Sequence, residues 1–169
     1  RTIVAFHEAG HAVMAIANGF EVVRVGLRAD TQRKGHVAWV MPDPATHEQR
    51  VRAAIVGAAG AAADAIHHGL VGGAPDEMMC GYHGDRTKAA EHLPELANDE
   101  NFQLAGAFCQ LFLRRPDAWS AVERLANMVM SSVEVEHGTM VRDIAPAVPQ
   151  LEFAEIARFI RAMGWPLPS

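Results

Sequence analysis

The chain of 169 residues is half hydrophobic, poor in aromatics and carries a formal net charge of −5. That length suits one domain with a substantial core, and the negative balance excludes a basic field able to hold nucleic acid or an anionic membrane. Two cysteines, Cys80 and Cys109, are too few for a disulfide framework and point to a reducing compartment, cytoplasmic or cytoplasm-facing.

The first expected element is a helix over 2–18, with Thr2 as its N-cap and Gly19 just past its end. Residues 21–27 alternate and are β-branched, and 36–41 resume that character after a polar stretch ending in Gly35. This predicts a hairpin or two strands of a small sheet, ended by Pro42 and Pro44. Thr46 with Gln49 three positions on forms a capping-box pattern, opening a helix from 47 to about 68 that Gly69 closes. The glycine-rich stretch 69–84 predicts an irregular loop, followed by a helix over about 85–93. Further helices are expected at 99–114, 117–137 and 151–163, punctuated by Pro116, Gly138, Pro149 and Gly164. The fold class is therefore mainly α with a small β-sheet or hairpin, in a single domain. The longest nearly unbroken apolar run, around 53–63, falls short of the ~18 residues that cross a bilayer, and no signal peptide is visible. Cys109 lies in the apolar stretch 104–113 and reads as a buried small hydrophobe.

Chemistry concentrates in His7-Glu8-Ala9-Gly10-His11. Imidazoles at i and i+4 of a helix lie on one face, about 5–6 Å apart at Cβ, and can converge on one zinc ion at about 2.0–2.1 Å. Glu8 leaves the helix in a neighbouring direction and can reach a water in an open coordination position, the place of the general base in a metallopeptidase. Gly10 is unfavourable in a helix interior by about 1 kcal/mol relative to Ala; it is expected to clear space between the ligands for metal and substrate.

A catalytic zinc usually takes three protein ligands and a water, so a further residue is needed. Positions 12–20 contain no histidine, which excludes the extended motif with a third His close by. A glutamate on a later helix is one alternative: Glu134 or Glu136 would give a gluzincin-like aminopeptidase. Asp85 is the other; it follows the glycine-rich stretch and opens a helix. An Asp there is equally a favoured N-cap, and local chemistry does not separate ligand from cap. Cys80 and His83 could form an alternative site, although a loop thiol and a solvent-facing His are the simpler reading. His67 and His68 at a helix end suit the helix dipole. Trp39, Trp119 and Trp165 read as packing residues rather than a binding platform.

The segment Ala5-Phe6-His7-Glu8-Ala9-Gly10-His11-Ala12-Val13 resembles the peptidase-domain signature of the FtsH-type family of ATP-dependent zinc proteases. Three further features are similar in the same order. They are Gly35-His36-Val37 in the strand pair, Val56-Gly57-Ala58-Ala59-Gly60-Ala61-Ala62-Ala63-Asp64 on the next helix, and Gly81-Tyr82-His83-Gly84-Asp85 with its Gly-x-x-x-Asp helix opening. The resemblance covers roughly 1–140 and leaves 141–169 as an unassigned C-terminal helical extension. It implies that His7, His11 and Asp85 hold Zn²⁺, that Glu8 is the catalytic base, that the substrate is protein or peptide, and that the chain forms a homo-hexamer. The family's arginine in the Gly/Ala-rich segment is replaced by small residues, with Gly60 and Ala61 nearby; Asp64 stands near its Glu, and Gly84 replaces the Asn before the ligand Asp. These departures bear on subunit contacts or substrate handling more than on zinc. The family's motor is not in these residues: a Walker A loop needs Gly-Lys-Ser/Thr, and Lys34 and Lys88, the only lysines, have other neighbours. Since the motif begins a few residues after Arg1, the chain is expected to be part of a longer protein, with any membrane anchor or ATPase outside it.

The expected activity is zinc-dependent endopeptidase cleavage of unfolded or flexible protein, with a non-catalytic zinc-binding or assembly module as the alternative. An exposed edge of the 22–41 strand pair could take an extended peptide as an added strand or be an ordinary structural hairpin.

Overall fold

The computed structural model describes residues 1–28, 34–72 and 81–167. The first helix, α1 (Thr2–Ala17), takes Thr2 as its first helical residue; Arg1 occupies the cap position without a capping side-chain bond, its guanidinium donating instead to the Met130 carbonyl at 2.6 Å. Gly19 adopts φ +81° just past its end, a conformation glycine enters without a Cβ penalty. Strands β1 (Val22–Leu27) and β2 (Gly35–Trp39) follow. The predicted capping box then opens α2 (His47–Val71): the Thr46 hydroxyl accepts from the Gln49 N–H at 3.1 Å, and Gln49 Oε1 accepts from the Thr46 N–H at 2.8 Å. This helix runs through Gly69 to Gly72, which supplies the positive φ of +74°.

Residues 73–80, Cys80 among them, lie outside the described residues. Helix α3 (Tyr82–His92) begins three residues before the expected start, behind Gly81 at φ +85°. Asn98 caps α4 (Asp99–Leu113) by accepting from the Asn101 N–H. The helix α5 (Pro116–Ser132) ends at Val133, whose φ of +68° turns the chain into strand β3 (Glu134–Glu136) instead of continuing helically to 137. The short α6 (His137–Thr139), irregular helical turns and α7 (Phe153–Met163) complete the chain.

The described residues thus form a mainly helical fold with one three-stranded antiparallel sheet, in the order β2-β1-β3. Val25 of β1 stands opposite Val37 on one side and Val135 on the other. This order leaves one side of β2 as a sheet edge. Helix α2 packs against α1, α3 and α4 at the centre, and its alanines and glycines set how closely they come. A Cβ on Gly10 of α1 would stand 2.5 Å from Ala63 Cβ and 2.9 Å from the Ala59 carbonyl oxygen. Gly10 therefore lets two helix backbones touch; the expectation that it clears space for metal and substrate is corrected. Gly57 does the same for α3, where a Cβ would meet Ala89 Cβ at 2.8 Å.

By length and composition α2 could cross a membrane, yet 56% of its apolar window is buried inside this fold, where it serves as the core helix. The run 53–63 alone is too short for a span; the helix around it is not. Cys109 is fully buried and donates its thiol to the Ile55 carbonyl at 3.3 Å, as a small core residue should. The C-terminal segment is tied to the core. Leu151 N–H donates to the Ala17 carbonyl at 2.8 Å, while Arg52 donates to the Leu151 carbonyl at 2.9 Å and to Asn18 Oδ1 at 3.1 Å.

Candidate metal centre

One turn of α1 separates His7 from His11, and their rings stand edge to face with centroids 4.8 Å apart. The two Nε2 atoms are 3.2 Å apart. Asp85 Oδ2, from the first turn of α3, lies 2.8 Å from His7 Nε2 and 3.2 Å from His11 Nε2. Donors held about 2.0–2.1 Å from a tetrahedral metal stand about 3.3 Å apart, and the three atoms, 2.8–3.2 Å from one another, lie near that spacing. Asp85 is not a cap. It is the fourth residue of α3 and its own N–H bonds the Gly81 carbonyl, while Gly81 holds the cap position.

The other ring nitrogens determine what Nε2 can do. His11 Nδ1 lies 2.8 Å from the Val56 carbonyl, which only accepts, so in the neutral ring Nδ1 carries the proton and Nε2 offers a lone pair. His7 Nδ1 bonds Asp64 Oδ2 at 2.7 Å, with both groups buried. Carboxylate-to-imidazole bonds of this kind fix tautomer and ring orientation at metal sites. Asp64 is the residue sequence reasoning missed. Its signal was a lone carboxylate inside an alanine- and glycine-rich stretch, because a buried acid needs a partner. Gly60 is the second omission: a Cβ there would overlap the Nε2 atoms of both histidines. The empty Cβ position, the donor spacing and the two acceptors behind the rings together fit a bound cation.

The electrostatics follow from this crowding. Burial opposes a charged imidazole at His7, but the carboxylates of Asp64 and Asp85 outweigh it and hold the His7 pKa well above the ordinary value. At His11 burial is likewise outweighed, chiefly by Asp85, and the pKa rises. Burial alone would raise the Asp85 carboxyl, yet the two histidines hold it well below the usual carboxylate range. Glu8 moves the other way: burial lifts its pKa against the opposing pull of His11 and His7. The Glu8 side chain abuts the start of β2 so closely that a Cβ on Gly35 would overlap it.

These groups share a cleft of about 760 Å³. Its floor is α1 and α2, one wall is β2 and the other is α3. Trp39, Trp119 and Trp165 all pack against the core as expected, the last two against Phe6 and Phe159, and Trp39 also lines this cleft. His67 stacks on Phe6 at 4.0 Å and takes no part in the centre. His83 faces solvent. Glu134 and Glu136 sit on β3, not on a helix, and Glu134 bonds His36 at 3.0 Å. His36 itself lines the cleft, but the group able to hold a metal ion joins His7 and His11 to Asp85, and neither Glu134 nor Glu136 belongs to it. The gluzincin alternative is corrected on that ground.

Among the described residues, the group of His, Cys or acidic side chains able to hold a metal ion is His7, His11 and Asp85. Compared with models of known protein families and with curated proteins, the chain gives no match. The class the fold and site define is therefore a helical domain with a buried His-His-Asp group that could hold a metal ion, open toward one cleft.

Proposed function

We propose that the chain is a zinc metalloendopeptidase for unfolded or flexible protein segments, of the FtsH-type peptidase kind. One observation carries the reading: His7 Nε2, His11 Nε2 and Asp85 Oδ2 converge within 2.8–3.2 Å of one another, with Glu8 beside them in the same cleft. Zinc, when bound, lowers the pKa of a coordinated water and polarises a carbonyl. His7, His11 and Asp85 would hold it at the cleft. Glu8 takes the proton of the attacking water and returns it to the leaving amine. The open edge of β2 lies along the cleft, and an extended substrate pairing with it would be read mainly through its backbone.

A structural zinc site is closed by four protein ligands and has no use for a base. Three donors plus Glu8 favour catalysis over a non-catalytic zinc module. The test is metal analysis joined to a chelator-reversible peptide-cleavage assay. Glu8→Gln should keep zinc and lose activity by about 10²-fold or more, and Asp85→Ala should lose zinc. Full activity in the first variant, or full zinc content in the second, removes the reading. The homo-hexamer that the resemblance implies is checked by sedimentation of the zinc-loaded chain, where a monomer would remove it.

A further inference from the structure

The cleft differs in charge from the chain around it. The net charge is −5, yet the exposed charged residues that line the cleft are Arg28, Lys34 and Lys88 against Glu91 alone. The ion pairs of the described arginines use Arg52, Arg86, Arg115 and Arg142, none of which lines the cleft. Arg28 and Lys34 are joined through a backbone bond of 2.7 Å between the Arg28 N–H and the Lys34 carbonyl. In formal charge Asp30 and Arg33, between them in sequence, cancel. Lys88 comes three residues after Asp85 on α3, hence on the same side of that helix. Both walls of the cleft therefore present cations.

Their placement along β2 matters. Gly35 is the point at which the strand meets Glu8, so it marks the level of the bond to be cut. Lys34 is its neighbour. In the opposite direction the cleft is lined by Val37 and Trp39, about 7 and 13 Å away at the strand rise. We propose that the cleft selects extended peptide segments carrying an acidic side chain within two residues of the cleaved bond on one side and an apolar side chain two to four residues away on the other. The acid meets Arg28, Lys34 and Lys88; the apolar group meets Val37 and Trp39. Cleavage rests on the peptidase reading above, whereas selective binding does not.

The experiment joins binding to turnover on the zinc-loaded chain. Two fluorescent peptides share an apolar half and differ only by paired aspartates or paired lysines in the other half. The aspartate peptide should bind about tenfold more tightly in low salt, and the gap should close near 0.5 M salt, where screening is effective within about 4 Å. The exposed charge-reversal variant Arg28→Glu/Lys34→Glu should invert the order while keeping its far-ultraviolet circular dichroism. Cut sites mapped by mass spectrometry should fall within two residues of an acid. Equal binding of the two peptides, or an order unchanged in the variant, overturns the proposal. Selective binding without Glu8-dependent cleavage upholds the charge selection and sinks the peptidase reading; Glu8-dependent cleavage without acidic preference does the reverse.

Discussion

Replacing Asp64 by Asn isolates the part of the centre that touches no metal. Asp64 is 2% exposed, and its Oδ2 accepts from His7 Nδ1 at 2.7 Å while Oδ1 has no partner among the described residues. An asparagine can still accept through its amide oxygen, so ring orientation is kept while the negative charge is lost. Partners of this kind are worth about 10–100-fold in metal affinity, or roughly 1.4–2.7 kcal/mol at 1.36 kcal/mol per decade. The zinc dissociation constant, read by competition with a chromophoric chelator, should rise by that factor at pH 8 with circular dichroism unchanged. The pH dependence sharpens the test. Protons compete with zinc for His7 Nε2, and Asp64 is one of the two carboxylates that raise its pKa. Removing that carboxylate weakens the competition as well as the binding. The ratio of variant to wild-type dissociation constants should therefore shrink as pH falls from 8 toward 6. A ratio within twofold of unity at pH 8, or one that grows on acidification, would refute the reasoning.

Gly60→Ala gains about 1 kcal/mol of helix propensity, yet its Cβ would overlap both Nε2 atoms. The fold should persist while zinc affinity falls at least about 100-fold by the same chelator competition, and near-normal affinity would show that the rings can move aside. Gly10→Ala should instead destabilise the fold by about 1–3 kcal/mol in urea titration through overpacking of α1 on α2, and equal or greater stability would contradict the close approach. In chelator-stripped protein, the pKa values of His7, His11, Glu8 and Asp64 are raised, so below the unfolded values the folded state keeps its full advantage and loses it as pH climbs through the folded ones. Asp85 is lowered, and its contribution is lost as pH falls below about 4. The melting temperature of stripped protein should then peak between about pH 4 and 6.5 and decline above it, whereas zinc should move that peak upward; a stripped protein most stable at pH 8 would break the argument.

Local signals were legible in the sequence. The His7/His11 pair follows from helix periodicity alone, and Thr46 with Gln49 gave a capping box that the structure contains bond for bond. What was illegible depends on partners distant in sequence. The third strand lies where α5 would otherwise have continued, because pairing of Val135 with Val25 overrides a weak local preference and no glycine marks the turn at Val133. Asp85 could not be separated from a cap while the start of α3 was uncertain. That start is set by Gly81, one glycine among several in a stretch whose composition says only that it bends. The glycines were the hardest case: Gly10 and Gly60 look alike in sequence, and which of them faces a helix and which faces the donor atoms depends on how α2 lies against α1.

That arrangement explains why so much of α2 is glycine and alanine. Val56, Gly60 and Asp64 are spaced by four residues and form one stripe along the helix. Asp64 meets His7 and Val56 meets His11, so the two helices run in opposite directions. Eight residues span about 12 Å of helix, while four span about 6 Å. The two acceptors therefore bracket the histidine pair from outside and draw the Nδ1 atoms apart. With the Nδ1 sides held outward, the Nε2 atoms turn inward over Gly60, where the missing Cβ leaves room for them at 3.2 Å. Gly57, one residue past Val56, lets α3 close against the same helix and bring Asp85 to the third corner. A side chain at Gly60 would displace a ligand, and one at Gly57 would displace a helix. Helix packing and donor geometry are accordingly one constraint, because the glycine that lets the two nitrogens meet lies on the helix that packs the core.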